Sequence, residues 1–284
     1  MNKIASIGFF DGVHKGHQYL FDHLRAEANE RGLTPLLITF DTHPRAVLQS
    51  DYQPQLLSSL DERVALLRTY AEVLVLPFAE IKDLTAAQFM ERMRTEWNVS
   101  VLLMGYDHMF GSDRLKRPQD YRRIGAEQGI EVLTTDQFTD GEWHVSSTEI
   151  RQALETGNIA LANELLGRPY SITGQVVHGK AIGRTIGFPT ANILPSDPHK
   201  MIPQPGVYMG YVDTPTMDNA PAFVNIDPQH TIEVHIPSFK GDLYDRHLEI
   251  RFAQFLREEK HFENLDQLRQ QIKEDIDSIL RRDA

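Results

Sequence analysis

No cysteine occurs among the 284 residues. That absence excludes disulfides, thiolate metal sites and cysteine nucleophiles, and leaves any metal to oxygen or nitrogen ligands. There is no Lys/Arg block either; the net charge is −11 and the basic residues are scattered. Gripping a polyphosphate backbone needs a basic face, so nucleic acid is not expected as an obligate partner, whereas a single nucleotide needs only a local set of donors. No apolar run reaches membrane-spanning length, and the chain starts almost directly with a strand pattern rather than a charged-then-apolar leader. These absences point to a cytoplasmic protein with no membrane partner, and they leave oligomerisation open.

What is present is enough for two cores. Aliphatic and aromatic residues make up 41% of the chain, and its length suits one large or two ordinary domains. In the first half, apolar runs at Ile4–Phe9, Leu36–Phe40, Val73–Leu76, Val99–Met104 and Val132–Thr134 alternate with helical patterns. Ser59 with Glu62, Thr85 with Gln88 and Ser146 with Glu149 have capping-box spacing at helix starts. Repeated strand–helix units predict an α/β Rossmann-like domain, a mainly parallel sheet with ligands at the carboxyl ends of its strands.

Residues Ile150 to Leu166 read as one or two short helices, and Gly167-Arg168-Pro169 breaks the pattern. Beyond it, short alternating runs at Tyr170–Val177, Gly206–Val212, Ala222–Ile226, Thr231–Ile236 and His247–Phe252 predict an antiparallel β-barrel or sandwich of about six strands. A last helix is expected from Leu265 to Leu280. The domains are therefore drawn at 1–167 and 168–284.

The chemistry-bearing residues sit at the element junctions. Between the first strand and the first helix lies Gly8-Phe9-Phe10-Asp11-Gly12-Val13-His14-Lys15-Gly16-His17. A glycine turn leading into a helix aims backbone N–H groups and the positive end of the helix dipole at one point, which suits a phosphate. His14 and His17 add donors there; the plain alternative is one capping histidine and one surface histidine. Ser147 and Thr148 at a helix start, with Arg151 one turn in, make a second anion site or else a simple cap followed by a solvated arginine. Asp41 and Asp107 each end a strand, as nucleotide-site residues or as turn formers. Gly105 and Gly111 around Asp107 permit close backbone approach.

In the second half, Gly179, Gly183 and Gly187 with Arg184 form a glycine-rich loop that could wrap a polyphosphate or simply be a flexible hairpin. Thr190 and Asn192, in Pro189-Thr190-Ala191-Asn192, offer hard oxygen donors suited to Mg²⁺. Glu233 lies mid-strand in an apolar run and points either to solvent or into a cavity.

Taken together these segments resemble the bacterial bifunctional riboflavin kinase/FAD synthetases over essentially the whole chain. The resemblance rests on Phe10-Asp11-Gly12-Val13-His14-x-Gly16-His17, Thr39-Phe40-Asp41-Thr42-His43-Pro44, Gly105-Tyr106-Asp107-His108-Met109-Phe110-Gly111 and Ser146-Ser147-Thr148-Glu149-Ile150-Arg151. It continues with Gly174-x-Val176-x-His178-Gly179 and Gly183-Arg184-x-x-Gly187-Phe188-Pro189-Thr190-Ala191-Asn192. The resemblance implies an FMN adenylyltransferase domain followed by a riboflavin kinase domain, with ATP as co-substrate, Mg²⁺ as cofactor and riboflavin, FMN and FAD as substrates or products. It implies that His14, His17 and Arg151 stabilise the transferring phosphates. Gly8, Phe9, Asp11, Gly16, Asp41, Asp107, Ser147 and Thr148 would line the first site, and Gly179, Gly183, Arg184, Gly187 and Asn225 the second. Glu233 would be the kinase base, with Thr190 and Asn192 at the metal.

One segment departs from the family. A longer loop usually follows its Asn-Ile-Gly, whereas here Asn225-Ile226-Asp227-Pro228-Gln229-His230 passes almost directly into Thr231. The alternative reading is therefore an FAD synthetase whose barrel binds flavin or regulates, with weak or no kinase activity. A flavin-sequestering protein without turnover is a third.

Overall fold

The computed structural model describes residues 2–140, 143–179, 183, 187–237, 239–260, 262 and 264–280. The chain divides into two compact units, Met1–Ser147 and Thr148–Ala284.

The first unit is built on five parallel strands: β1 (Lys3–Ile7), β2 (Thr34–Phe40), β3 (Glu72–Leu76), β4 (Val99–Met104) and β5 (Glu131–Thr134). They lie in the order β3-β2-β1-β4-β5, so the order reverses at β1. Helices α1 (Lys15–Arg31), α2 (Pro44–Leu48), α3 (Leu60–Arg68), α4 (Phe78–Ile81), α5 (Ala86–Trp97) and α6 (Pro118–Gln128) connect them. A short hairpin of β6 (Thr139–Asp140) and β7 (Trp143–His144) follows.

Strand alternation splits the core in two. Ala5, Ile7, Leu36 and Ile38 face Phe89, Met90 and Met93 of α5, while Ile4, Leu37 and Val101 face Leu20, Phe21 and Leu24 of α1. Each fully buried side chain of this size contributes about 1.5–3 kcal/mol, so covering both sheet faces, rather than local propensity, holds the strands. The expected capping boxes form at Ser59 with Glu62 and at Thr85 with Gln88.

The second unit takes up all but the first residue of α7 (Ser147–Glu155), then α8 (Ile159–Leu166) and a closed antiparallel barrel. Its strands are β8 (Tyr170–Val177), β9 (Thr190–Pro195), β10 (Gly206–Val212), β11 (Ala220–Ile226), β12 (Ile232–His235) and β13 (His247–Arg257). The order around the barrel is β10-β11-β12-β9-β8-β13, which leaves no open edge. The division between the units falls at the start of α7, and α8 is fastened to the barrel. Asn163 donates to the Phe252 carbonyl (2.9 Å) and accepts from the Tyr170 amide (2.7 Å). β9 is a strand the apolar runs did not announce. The final helix, α9 (Leu265–Leu280), is tied to β13 by the Arg257–Asp275 ion pair at 2.8 Å.

Candidate active sites

β1 is central and ends at the point where strand order reverses, so the turn after it opens at the carboxyl edge of the sheet. The turn is tightly shaped. A Cβ on Gly8 would meet the Phe10 ring at 2.6 Å, and Phe10, Gly12 and Val13 adopt left-handed conformations with φ of 55°, 76° and 43°. The Asp11 carboxylate accepts the backbone amides of Leu57 and Ser58, both at 3.1 Å, and the Gly12 amide donates to Ser58 Oγ (3.0 Å). Asp11 thus fastens the turn to the segment before α3.

α1 starts directly after His14. The His14 and His17 rings stack with centroids 3.7 Å apart and planes 20° from parallel. The Phe10 ring meets His17 edge-on at 5.3 Å, so His17 is held between two rings. A Cβ on Gly16 would lie 3.2 Å from His14 Cε1 and 3.4 Å from the Val145 carbonyl, which makes this the tight side of the turn. Two imidazoles and the first-turn amides of a 17-residue helix therefore sit together. Ser147, the last residue of the first unit, donates from Oγ to the Asp11 carbonyl at 3.0 Å. Thr148 and Arg151 follow on α7, in the second unit.

The other first-unit positions also lie at strand ends. Thr39 Oγ1 donates to the Phe9 carbonyl at 3.1 Å, and Asp41 Oδ1 accepts the Phe78 amide at 3.0 Å, joining the end of β2 to α4. Asp107 lies just beyond β4 and is exposed. Three residues here were not singled out by sequence. The His43 ring meets Phe9 edge-on at 4.7 Å, and the fully buried Arg63 lays its guanidinium over the Phe9 ring at 4.0 Å while donating to the Phe40 carbonyl (2.7 Å). Burial holds the His108 imidazole down at about 4, against a smaller upward pull from Asp107. A charge-bearing residue on an amphipathic helix reads as solvated, and no pattern in the sequence marks Arg63 as buried.

In the barrel, strand register assembles the second set. Glu233 on β12 pairs with Asn225 of β11 on one side and Asn192 of β9 on the other. Two residues along, His235 pairs with Phe223 and Thr190. Directly paired residues share a sheet face, with Cβ atoms about 4.5–5.5 Å apart. Ile232 and Val234 alternate with them and are buried, so Asn225, Glu233, Asn192 and Thr190 occupy the outer face of the barrel.

The glycine loop closes on this face. A Cβ on Gly179 would lie 2.6 Å from Asn192 Oδ1, and one on Gly183 would lie 3.3 Å from Thr190 Oγ1. Gly187 has a left-handed φ of 88° and open space around it. Arg184 lies outside the described residues. Thr190 and Asn192 bring two neutral oxygen donors to one place, the chemistry Mg²⁺ takes when phosphate oxygens and water complete its shell. Among the described residues no group of three or more His, Cys, Asp or Glu is arranged to hold a metal. Beside Thr190 lies a cavity of about 80 Å³, lined in part by Pro189, Ala191, Gly241 and Tyr244, and the Tyr244 ring stacks on His178 at 3.9 Å.

The short segment after Asn225 is a closed hairpin turn. Asp227 Oδ1 accepts the amides of Gln229 (2.9 Å) and Thr231 (2.7 Å), and His230 takes a left-handed φ of 60°. Glu233 keeps its register with Asn225 and Asn192 beside this short turn.

Two family models match the chain: FAD synthetase over residues 1–149 and riboflavin kinase over residues 166–282. A bifunctional riboflavin kinase/FMN adenylyltransferase of Escherichia coli is 36% identical over 290 residues, covering 96% of this chain and 90% of that protein. A Bacillus subtilis protein of the same name is 32% identical, covering 98% and 92%. Among solved structures, one described as a macrolide-efflux protein from Streptococcus pneumoniae has a TM-score of 0.87 and 31% identity, covering 97% of this chain and 93% of its own. Among the described residues, no helix is long and apolar enough to cross a membrane.

Proposed function

The chain belongs to the bifunctional riboflavin kinase/FMN adenylyltransferase family, and on that premise we propose that it makes FMN from riboflavin and FAD from FMN, consuming ATP in both steps. The functional division is placed at residue 167, with adenylyl transfer in 1–167 and phosphoryl transfer in 168–284. The setting is cytoplasmic, the small-molecule partners are ATP and flavins, with no nucleic acid or membrane, and self-association stays open.

In adenylyl transfer, a phosphate oxygen of FMN attacks the α-phosphorus of ATP, and the bond to the leaving pyrophosphate breaks. No proton need be removed from the attacking group, so the protein supplies position and charge stabilisation. His14 and His17, locked as a stack against Phe10, are the donors for charge developing on the leaving oxygen. Ser147, Thr148 and Arg151 are assigned to the triphosphate. Asp11 and Asp41, whose carboxylates accept backbone amides, act by shaping the loops, and Gly8 and Gly16 by leaving room.

In phosphoryl transfer, the ribityl 5′-hydroxyl attacks the γ-phosphorus and ADP leaves. Glu233 accepts the hydroxyl proton. Asn225 and Asn192 flank it in the ladder and orient the groups beside it. Thr190 and Asn192 would hold Mg²⁺, which when bound screens phosphate charge. Gly179 and Gly183 let the loop backbone come close to the phosphates.

The observation that carries the kinase half is the row Asn225–Glu233–Asn192, intact beside the shortened hairpin; it favours a catalytic barrel over a flavin-binding module. The test is incubation with riboflavin, ATP and Mg²⁺, then chromatography of the flavins. FMN followed by FAD is expected. FAD from supplied FMN, with no FMN from riboflavin, would overturn the kinase half.

A further inference from the structure

His235 lies where the β12–β9 ladder stops. It is the last residue of β12, and its partner Thr190 is the first of β9. The carbonyl just beyond that end belongs to Pro189, one residue past the last pair of the β12–β9 ladder. It takes a hydrogen bond from the imidazole, with His235 Nδ1 at 2.8 Å. A carbonyl only accepts, so Nδ1 carries the hydrogen and the neutral ring is the Nδ1–H tautomer. The ring also meets Phe188 edge-on at 5.4 Å and is buried, at 9% exposure. One side chain thus grips both residues preceding Thr190.

The grip is directional. Pro189 has no N–H to fix it, and the Phe188 amide is already bonded back to the Gly183 carbonyl at 2.8 Å. Without the imidazole, the Pro189 carbonyl would lose the side-chain bond that fixes it, one residue before Thr190. Because His235 and Glu233 are two apart on one strand, they share the outer face, so the residue that fixes Thr190 is carried by the strand that carries the base.

We propose that His235 is a positioning residue for phosphoryl transfer, setting the Pro189 peptide so that the Thr190 hydroxyl is presented on the Glu233 face. The proposal rests on the kinase reading of the barrel.

The test compares His235→Leu with His235→Asn in the full-length protein. The asparagine amide donates from nearly the place of Nδ1, whereas leucine fills the space without a donor. His235→Leu should lose about 10–100-fold in riboflavin phosphorylation, the usual size of losing a group that orients a ligand residue. The Mg²⁺ concentration needed for half-maximal rate should rise, with the KM for riboflavin and FMN adenylylation unchanged. His235→Asn should recover most of the loss. A role in packing alone would make the two variants alike.

Two readouts need no turnover. The wild-type imidazole should show a protonated Nδ1 in its ¹⁵N spectrum, and amide exchange over residues 188–192 should quicken in His235→Leu but not in His235→Asn. A leucine variant with wild-type rates, or an asparagine variant no better than leucine, would overturn the proposal. If wild-type protein makes no FMN, the kinase reading falls, and amide exchange still decides whether His235 fixes the segment.

Discussion

The Asn192 side-chain amide fills the space in which a Cβ on Gly179 would sit. Gly179 is thus required by close approach, and any side chain there must push Asn192 off the outer barrel face. Gly179→Ala should lower riboflavin phosphorylation by at least about 10-fold while FAD formation from supplied FMN stays intact. Chromatography of both reactions checks it; full kinase activity would remove Asn192 from the site.

His17 is held between the His14 and Phe10 rings. His17→Ala should cut FAD formation from FMN by about 100-fold or more, the scale of losing a preorganised donor, and spare FMN formation from riboflavin. Equal loss of both would point to one shared site.

Arg151→Lys keeps the charge and loses the forked donor, and the two residues do not substitute for each other at a bidentate phosphate site. Adenylyl transfer should fall by one to a few orders of magnitude, about 2–4 kcal/mol. Wild-type turnover would return Arg151 to a solvated helix position.

Glu233→Gln preserves shape in the strand and removes the proposed base. FMN production should stop, riboflavin binding measured by fluorescence quenching should persist, and FAD synthesis from FMN should continue. An active glutamine variant would place the base elsewhere.

His108 gives a pH signature. Its imidazole takes up a proton near 6.5 in the unfolded chain but only near 4 in the folded one. Between those values the unfolded state binds more protons, so this contribution to stability is full above pH 6.5 and is lost as pH falls toward 4. His108→Phe should show a smaller drop in urea midpoint from pH 7 to pH 5 than wild-type protein does.

The parallel sheet was legible because strands covered on both faces read as apolar runs, and the β8 and β11–β13 runs of the barrel because one-sided burial leaves alternation. β9 was not. Its Thr190–Pro195 stretch lies between two prolines and puts Asn192 on the outer face, so it reads as a loop, although two ladders hold it. The site motifs named candidate positions but not what each side chain touches. Nothing in the pattern says that Asp11 and Asp41 accept backbone amides or that Arg63 lies beneath Phe9. His235 was within reach, being two residues from Glu233 on a strand, but its role appears only once register brings Thr190 opposite.

Val13 is a β-branched residue held at a φ of 43°, three residues after Phe10 at 55°. Such a conformation costs about 1–3 kcal/mol and persists only where its surroundings over-determine it. Here they do, through the Phe10 carbonyl on the Val13 amide (3.1 Å), the Gln18 side chain on the Val13 carbonyl (2.9 Å) and the Asp11 bonds to Leu57 and Ser58. The entropy of shaping this turn is therefore charged to folding, and on the proposed adenylyltransferase reading a nucleotide arriving at α1 would meet a receptor already set. Substitutions that slacken the bracing, far from any phosphate, would surface first as weaker ATP affinity, because part of each binding event would then go into rebuilding the turn.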